Sequence, residues 1–96
     1  MELEPIIKDL RNRARKLDST LVGLKWYIFG SLLEDKKCSA DVDILIIYEM
    51  ETSSKIIKSH LQDLDLLLPL HMMLMTSEEE VELRFLEKNR TLQIFP

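Results

Sequence analysis

The sequence predicts an α/β (α+β) fold, a small mixed β-sheet flanked by helices, on three grounds. Helical and strand periodicities alternate along the chain, the one nearly continuous apolar run has the length of a strand, and no segment repeats. With 96 residues, 46% of them hydrophobic, there is material for one core and too little length for two. Residues 1–96 are therefore expected to form a single domain, with no glycine-rich linker or low-complexity tract to divide them.

From Pro5 to Leu21, apolar Ile7, Leu10, Ala14, Leu17 and Leu21 recur at three- and four-residue steps, and Pro5 suits a first helical turn. The other side of this helix carries Lys8, Arg11, Arg13, Arg15 and Lys16, read as a solvated face. Gly23 is a helix stop, and Lys25-Trp26-Tyr27-Ile28-Phe29 is an aromatic, β-branched strand ended by Gly30. Ser31 to Lys37 is a polar connection with room for a turn of helix. Val42-Asp43-Ile44-Leu45-Ile46-Ile47-Tyr48 has the apolarity of a central strand. Ser53 or Ser54 caps a second helix with an Ile57, Leu61, Leu64 stripe running to about Asp65. Leu68 to Met75 reads as a third strand, with Pro69 at its start because proline donates nothing to a ladder. Ser77 with Glu80 has capping-box spacing and opens a last helix with Val81 and Phe85 turned inward, and Leu92 to Phe95 adds a terminal strand.

The formal charge of −4 and the pI near 5.1 provide no overall attraction to nucleic acid or anionic membrane, so neither is expected as a partner. Cys38 is the only cysteine, which excludes an internal disulfide and fits a cytoplasmic location. No apolar run approaches the length of a bilayer span, and Glu2, Glu4, Lys8 and Asp9 near the start do not resemble a secretion signal, so a soluble, unprocessed chain is expected.

Chemistry concentrates in the middle of the chain. Asp41 and Asp43, one residue apart at the start of a strand, point to one side because strand side chains alternate. Two adjacent carboxylates repel unless a proton or cation lies between them, which makes them a candidate site for a hard metal, with magnesium as occupant. Upstream, a strand ending in Gly30-Ser31 supplies a tight turn whose N–H groups and hydroxyl suit phosphate oxygens. Phosphate and metal together make a nucleotide site.

The order Phe29-Gly30-Ser31, nine residues, then Asp41-Val42-Asp43-Ile44-Leu45-Ile46 resembles the signature of the polymerase β-like nucleotidyltransferase superfamily, and the short chain resembles its minimal, antitoxin-like members. The resemblance implies a nucleotidyltransferase fold and attack of an acceptor hydroxyl on the α-phosphate of a nucleoside triphosphate, with release of pyrophosphate. It implies that Asp41 and Asp43 are catalytic and hold Mg²⁺, and that Gly30 and Ser31 hold the triphosphate, ATP being the default donor. It also implies a protein partner, a HEPN-type ribonuclease toxin, and association of subunits around an open cleft.

Relatives place a third carboxylate on the next strand. Here Leu68-Pro69-Leu70-His71-Met72-Met73-Leu74-Met75 aligns His71 with that position. Histidine accepts protons but is a poorer magnesium ligand than carboxylate. Asp63 or Asp65 would replace the missing acid only if the strand began earlier, and both fit the preceding helix better. The alternative to an enzyme is thus a degenerate module of the same fold that binds a partner or nucleotide without turnover. His60 is read as a packing residue, Cys38 as an ordinary loop cysteine and Trp26 as core. Met72, Met73 and Met75 are read as sheet packing, and Glu78, Glu79, Glu80 and Glu82 as a helix start favoured by the helix dipole.

Overall fold

A computed structural model describes residues 3–21, 23–30, 33, 41–67 and 69–96. Helix α1 spans Leu3–Asp18, strand β1 Lys25–Phe29, strand β2 Val42–Tyr48, helix α2 Ser53–Leu67 and strand β3 Leu70–Thr76. Two short helices, α3 (Ser77–Leu83) and α4 (Phe85–Lys88), precede strand β4 (Thr91–Phe95). The strands form one mixed sheet in the order β3-β2-β1-β4. β1 is antiparallel to both β2 and β4, while α2 carries the chain across to β3, which runs parallel to β2.

Alternation divides the sheet residues between two covers. Trp26, Ile28, Val42, Ile44, Ile46 and Leu70 face α1 and α2, where they meet Leu10, Ala14, Leu17, Ile57, Leu61 and Leu64 in the principal core. Tyr27, Leu45, Ile47 and Met75 face the other way and form a smaller cluster capped by Phe29, Phe85 and Leu86. β2 is covered on both sides, which explains its almost unbroken apolarity. Burial raises the hydroxyl pKa of both Tyr27 and Tyr48, with Glu80 and Glu79, respectively, adding to it.

Several expectations shift. α1 ends at Asp18, three residues before Leu21, and the amides of Thr20 and Leu21 both return to the Leu17 carbonyl before Gly23 takes the left-handed φ of +84°. β3 begins at Leu70, because Pro69 lacks the donor a ladder needs and contributes only its carbonyl, to Val42 N at 2.9 Å. The capping box closes one residue early: Thr76 Oγ1 accepts from Glu79 N and Glu79 Oε1 accepts from Thr76 N. Ser77 instead donates to Glu49 Oε1 at 2.6 Å.

Val81 is 72% exposed rather than inward. The expected single helix breaks at Arg84, whose left-handed φ of 53° turns the chain and sends Phe85 against Phe29 at a ring separation of 5.0 Å. β4 starts at Thr91 rather than Leu92. His60 is exposed, not packed in the α2 stripe, and its carbonyl accepts from Arg13 Nη1. Arg13, expected on a solvated face, is a clamp between helices: its guanidinium grips both carboxylate oxygens of Asp63 at 2.7 and 2.9 Å and also bonds Asp9. Trp26 is buried as expected, and its indole Nε1 has no partner among the described residues.

Candidate active site

β1 ends where β2 and β3 begin, so three strand termini meet at one end of the sheet. The register sets Phe29 opposite Asp43 and Asp43 opposite His71, which places these side chains in one row on the face of the smaller cluster. His71 Nδ1 stands 3.2 Å from Asp43 Oδ1, and its Nε2 is 4.0 Å from Asp41 Oδ2. The imidazole therefore spans the two carboxylates. Asp43 is the sheltered member, its side chain 20% exposed, against 42% for Asp41 and 69% for His71. Beside them lies a cavity of about 390 Å³ lined by Phe29, Asp43, Leu70, His71, Met72 and Met73.

Gly30 closes the row. Its φ is +79°, and a Cβ built there would collide with the Asp43 carboxylate, at Oδ2 and Cγ. The turn after β1 can thus pass over Asp43 only because position 30 has no side chain. Leu33 N returns to the Gly30 carbonyl at 3.1 Å, closing the turn. Ser31 and Cys38 lie outside the described residues.

The expected residues Gly30, Asp41, Asp43 and His71 thus come together. Asp63 does not join them: it is held by Arg13, which pulls its pKa from 3.8 down to about 2. Asp65 belongs to α2, and its side chain lies outside the described residues. Met73, read from sequence as sheet packing, is 40% exposed and lines the cavity two residues beyond His71 on the same side. Period-two counting from His71 is the signal that would have found it. A second cavity of about 570 Å³ lies along Glu4, Lys8, Arg11 and Arg15 of α1, and among the described residues Glu4 is the one carboxylate on its wall.

Among the described residues no set of three His, Cys, Asp or Glu side chains converges to hold a metal ion. Two neighbouring carboxylates nonetheless suit magnesium, which usually binds through one or two carboxylates and completes its shell with water and substrate phosphate oxygens. Asp41 and Asp43 are oxygen donors of the kind a hard divalent cation takes, so the residues present suit such an ion. His71 contributes nitrogen, a poor ligand for so hard a cation.

The sequence matches the family described as "Nucleotidyltransferase domain" over residues 7–94. No curated protein and no solved structure matches the chain. No helix among the described residues is long and apolar enough to cross a membrane.

Proposed function

The chain belongs to the nucleotidyltransferase domain family, and from that premise we propose that it transfers a nucleoside monophosphate, AMP from ATP by default, to an acceptor hydroxyl. The observation that carries this reading is the row formed by Asp43 and His71, with Asp41 at its edge and Gly30 folded over it. Asp41 and Asp43 would hold Mg²⁺, which supplies charge stabilisation at the phosphates when bound. Gly30 and Ser31 hold the triphosphate: a glycine turn lets backbone N–H groups approach phosphate oxygens, and the serine adds a hydroxyl.

In this mechanism the acceptor oxygen attacks the α-phosphorus, a new P–O bond forms, and the bond to the bridging α–β oxygen breaks with its electron pair leaving on pyrophosphate. His71 takes the acceptor's proton. With Nδ1–H donating to Asp43 Oδ1, the Nε2 lone pair is left as the base, and Asp43 fixes the tautomer and the plane of the ring. Phe29 and Met73 give the cavity an apolar wall beside the carboxylates. In keeping with the resemblance to minimal nucleotidyltransferases, the acceptor is a hydroxyl on a protein partner of the HEPN toxin type, and the protein acts in the cytoplasm.

A second reading rests on one observation: the position expected to carry a third acid holds His71, whose ring already occupies Asp43 Oδ1. In that case the domain binds nucleotide or partner without turnover. Transfer of label from α-labelled nucleoside triphosphates, with magnesium and with candidate protein acceptors, separates the two. Transfer lost in Asp43→Asn supports the enzyme. Magnesium-supported nucleotide binding or a tight protein complex, with no transfer to any acceptor, supports the binding module.

A further inference from the structure

The two edges of the sheet are treated differently. β4 has five residues, shifts register against β1 at Trp26/Tyr27, and is followed by Pro96. The Ile94 carbonyl on it is occupied by Arg11 Nε at 2.9 Å. These are the usual devices that blunt an edge strand. β3, the opposite edge, is guarded only at its two ends, by Pro69 before it and by Glu79 on Thr76 N. It runs seven residues in unbroken register with β2 and carries no lysine, arginine, aspartate, glutamate or proline between Leu70 and Thr76.

The direction of its backbone groups follows from one bond. Because the Pro69 carbonyl accepts from Val42 N, the main-chain groups of His71, Met73 and Met75 also turn toward β2, and those of Leu70, Met72, Leu74 and Thr76 turn outward. Thr76 N is already taken by Glu79 Oε1, as an outward group is free to be. Leu70, Met72 and Leu74 remain, and no described strand lies beyond them.

We propose that β3 pairs with β3 of a second copy, antiparallel about a two-fold axis at Met72, joining the two sheets edge to edge. Antiparallel pairing of a strand with itself is isologous, and this register sets Leu70 opposite Leu74 of the second copy and Met72 opposite Met72. All three outward residues then exchange both groups, giving about six inter-chain hydrogen bonds, and no charge meets a like charge. A two-fold axis one residue further along would pair Leu70 with Thr76, whose N–H is engaged in the capping box. The chosen register also sets Met73 of the second copy opposite His71, on the face of the candidate site. The second subunit thereby borders the cavity of the first. This interface does not depend on the proposed catalytic activity.

Sedimentation equilibrium of the intact chain over a concentration series, combined with residue-resolved amide exchange, tests the proposal. A dimer is expected, with the amides of Leu70, Met72 and Leu74 exchanging at least about tenfold more slowly at high than at low concentration, because dimerisation buries their bonds. The amides of His71, Met73 and Met75 are held by β2 and change little. Met72→Pro removes one outward donor from each copy without touching the β2 ladder, and it raises the dimer dissociation constant about tenfold or more while the circular dichroism spectrum is retained. A monomer at every concentration overturns the proposal. So does a dimer whose Leu70, Met72 and Leu74 amides exchange at monomer rates, or protection of those amides only when a different protein is added.

Discussion

Asp43 and His71 are cross-strand neighbours on the parallel pair β2 and β3, with Asp43 Oδ1 3.2 Å from His71 Nδ1. A base held by a carboxylate contributes about 10²–10⁴-fold to a proton-transfer step. His71→Ala is accordingly expected to lower kcat by at least about 10²-fold while leaving KM for the nucleotide nearly unchanged, measured by steady-state transfer assays. His71→Asp places a third carboxylate beside Asp41 and Asp43 and is expected to tighten magnesium-dependent nucleotide binding, read by calorimetric titration.

Gly30 and Asp43 are coupled through space that a methyl group would fill. Gly30→Ala sets a side chain both in a left-handed conformation and against the carboxylate. The expected cost is about 1–3 kcal/mol in stability, measured by denaturant unfolding, together with weaker nucleotide binding because Asp43 must move.

The Arg13–Asp63 clamp predicts an acid-sensitive contact between α1 and α2. The Asp63 pKa is depressed from 3.8 to about 2 by the Arg13 hydrogen bonds. The native state thus binds fewer protons than the unfolded state in that interval, so this contribution is complete above pH 3.8 and is lost as the pH falls through about 2. Asp63→Asn is expected to flatten the fall in melting temperature between those pH values, followed by thermal unfolding across an acid series. Asp63 is exposed, so the contribution present at neutral pH, and with it the loss in acid, is small.

The position of the helix cap separates two hydroxyls next to one another in sequence. Thr76 closes the capping box of α3, whereas Ser77 bonds Glu49 at the surface. Thr76→Ala is expected to cost about 1 kcal/mol, and Ser77→Ala no more than about 0.5 kcal/mol, by chemical denaturation.

Trp26 lies fully buried, with an indole N–H that finds no acceptor among the described residues. An unmet buried donor costs about 1–3 kcal/mol, which offsets much of the packing lost on shortening the side chain. Trp26→Phe is therefore expected to change stability by less than about 1.5 kcal/mol, whereas Trp26→Ala costs about 3–5 kcal/mol. Equilibrium unfolding of the two variants checks the contrast.

Sequence alone determined what depends on near neighbours in the chain. The 3.6-residue spacing of Leu10, Ala14 and Leu17 required a helix, the run from Val42 to Tyr48 required a strand covered on both faces, and alternation put Asp41 and Asp43 on one side. The candidate site was legible to the same extent, because Gly30 and the two aspartates fall within one turn and one strand start. Tertiary structure decided the rest. Whether His71 reached Asp43 depended on the β2–β3 register, and that register depends on how α2 packs across the sheet. Arg13 could be a solvated charge or a clamp until α2 brought Asp63 to it. Val81 and Phe85 shared an apparent helix until Arg84 broke it and the Phe29 ring supplied a reason for Phe85 to turn. Periodicity reports which face of an element is apolar, since it follows from backbone geometry. It does not report which distant residue that face meets, because that contact is chosen by packing among elements far apart in the chain.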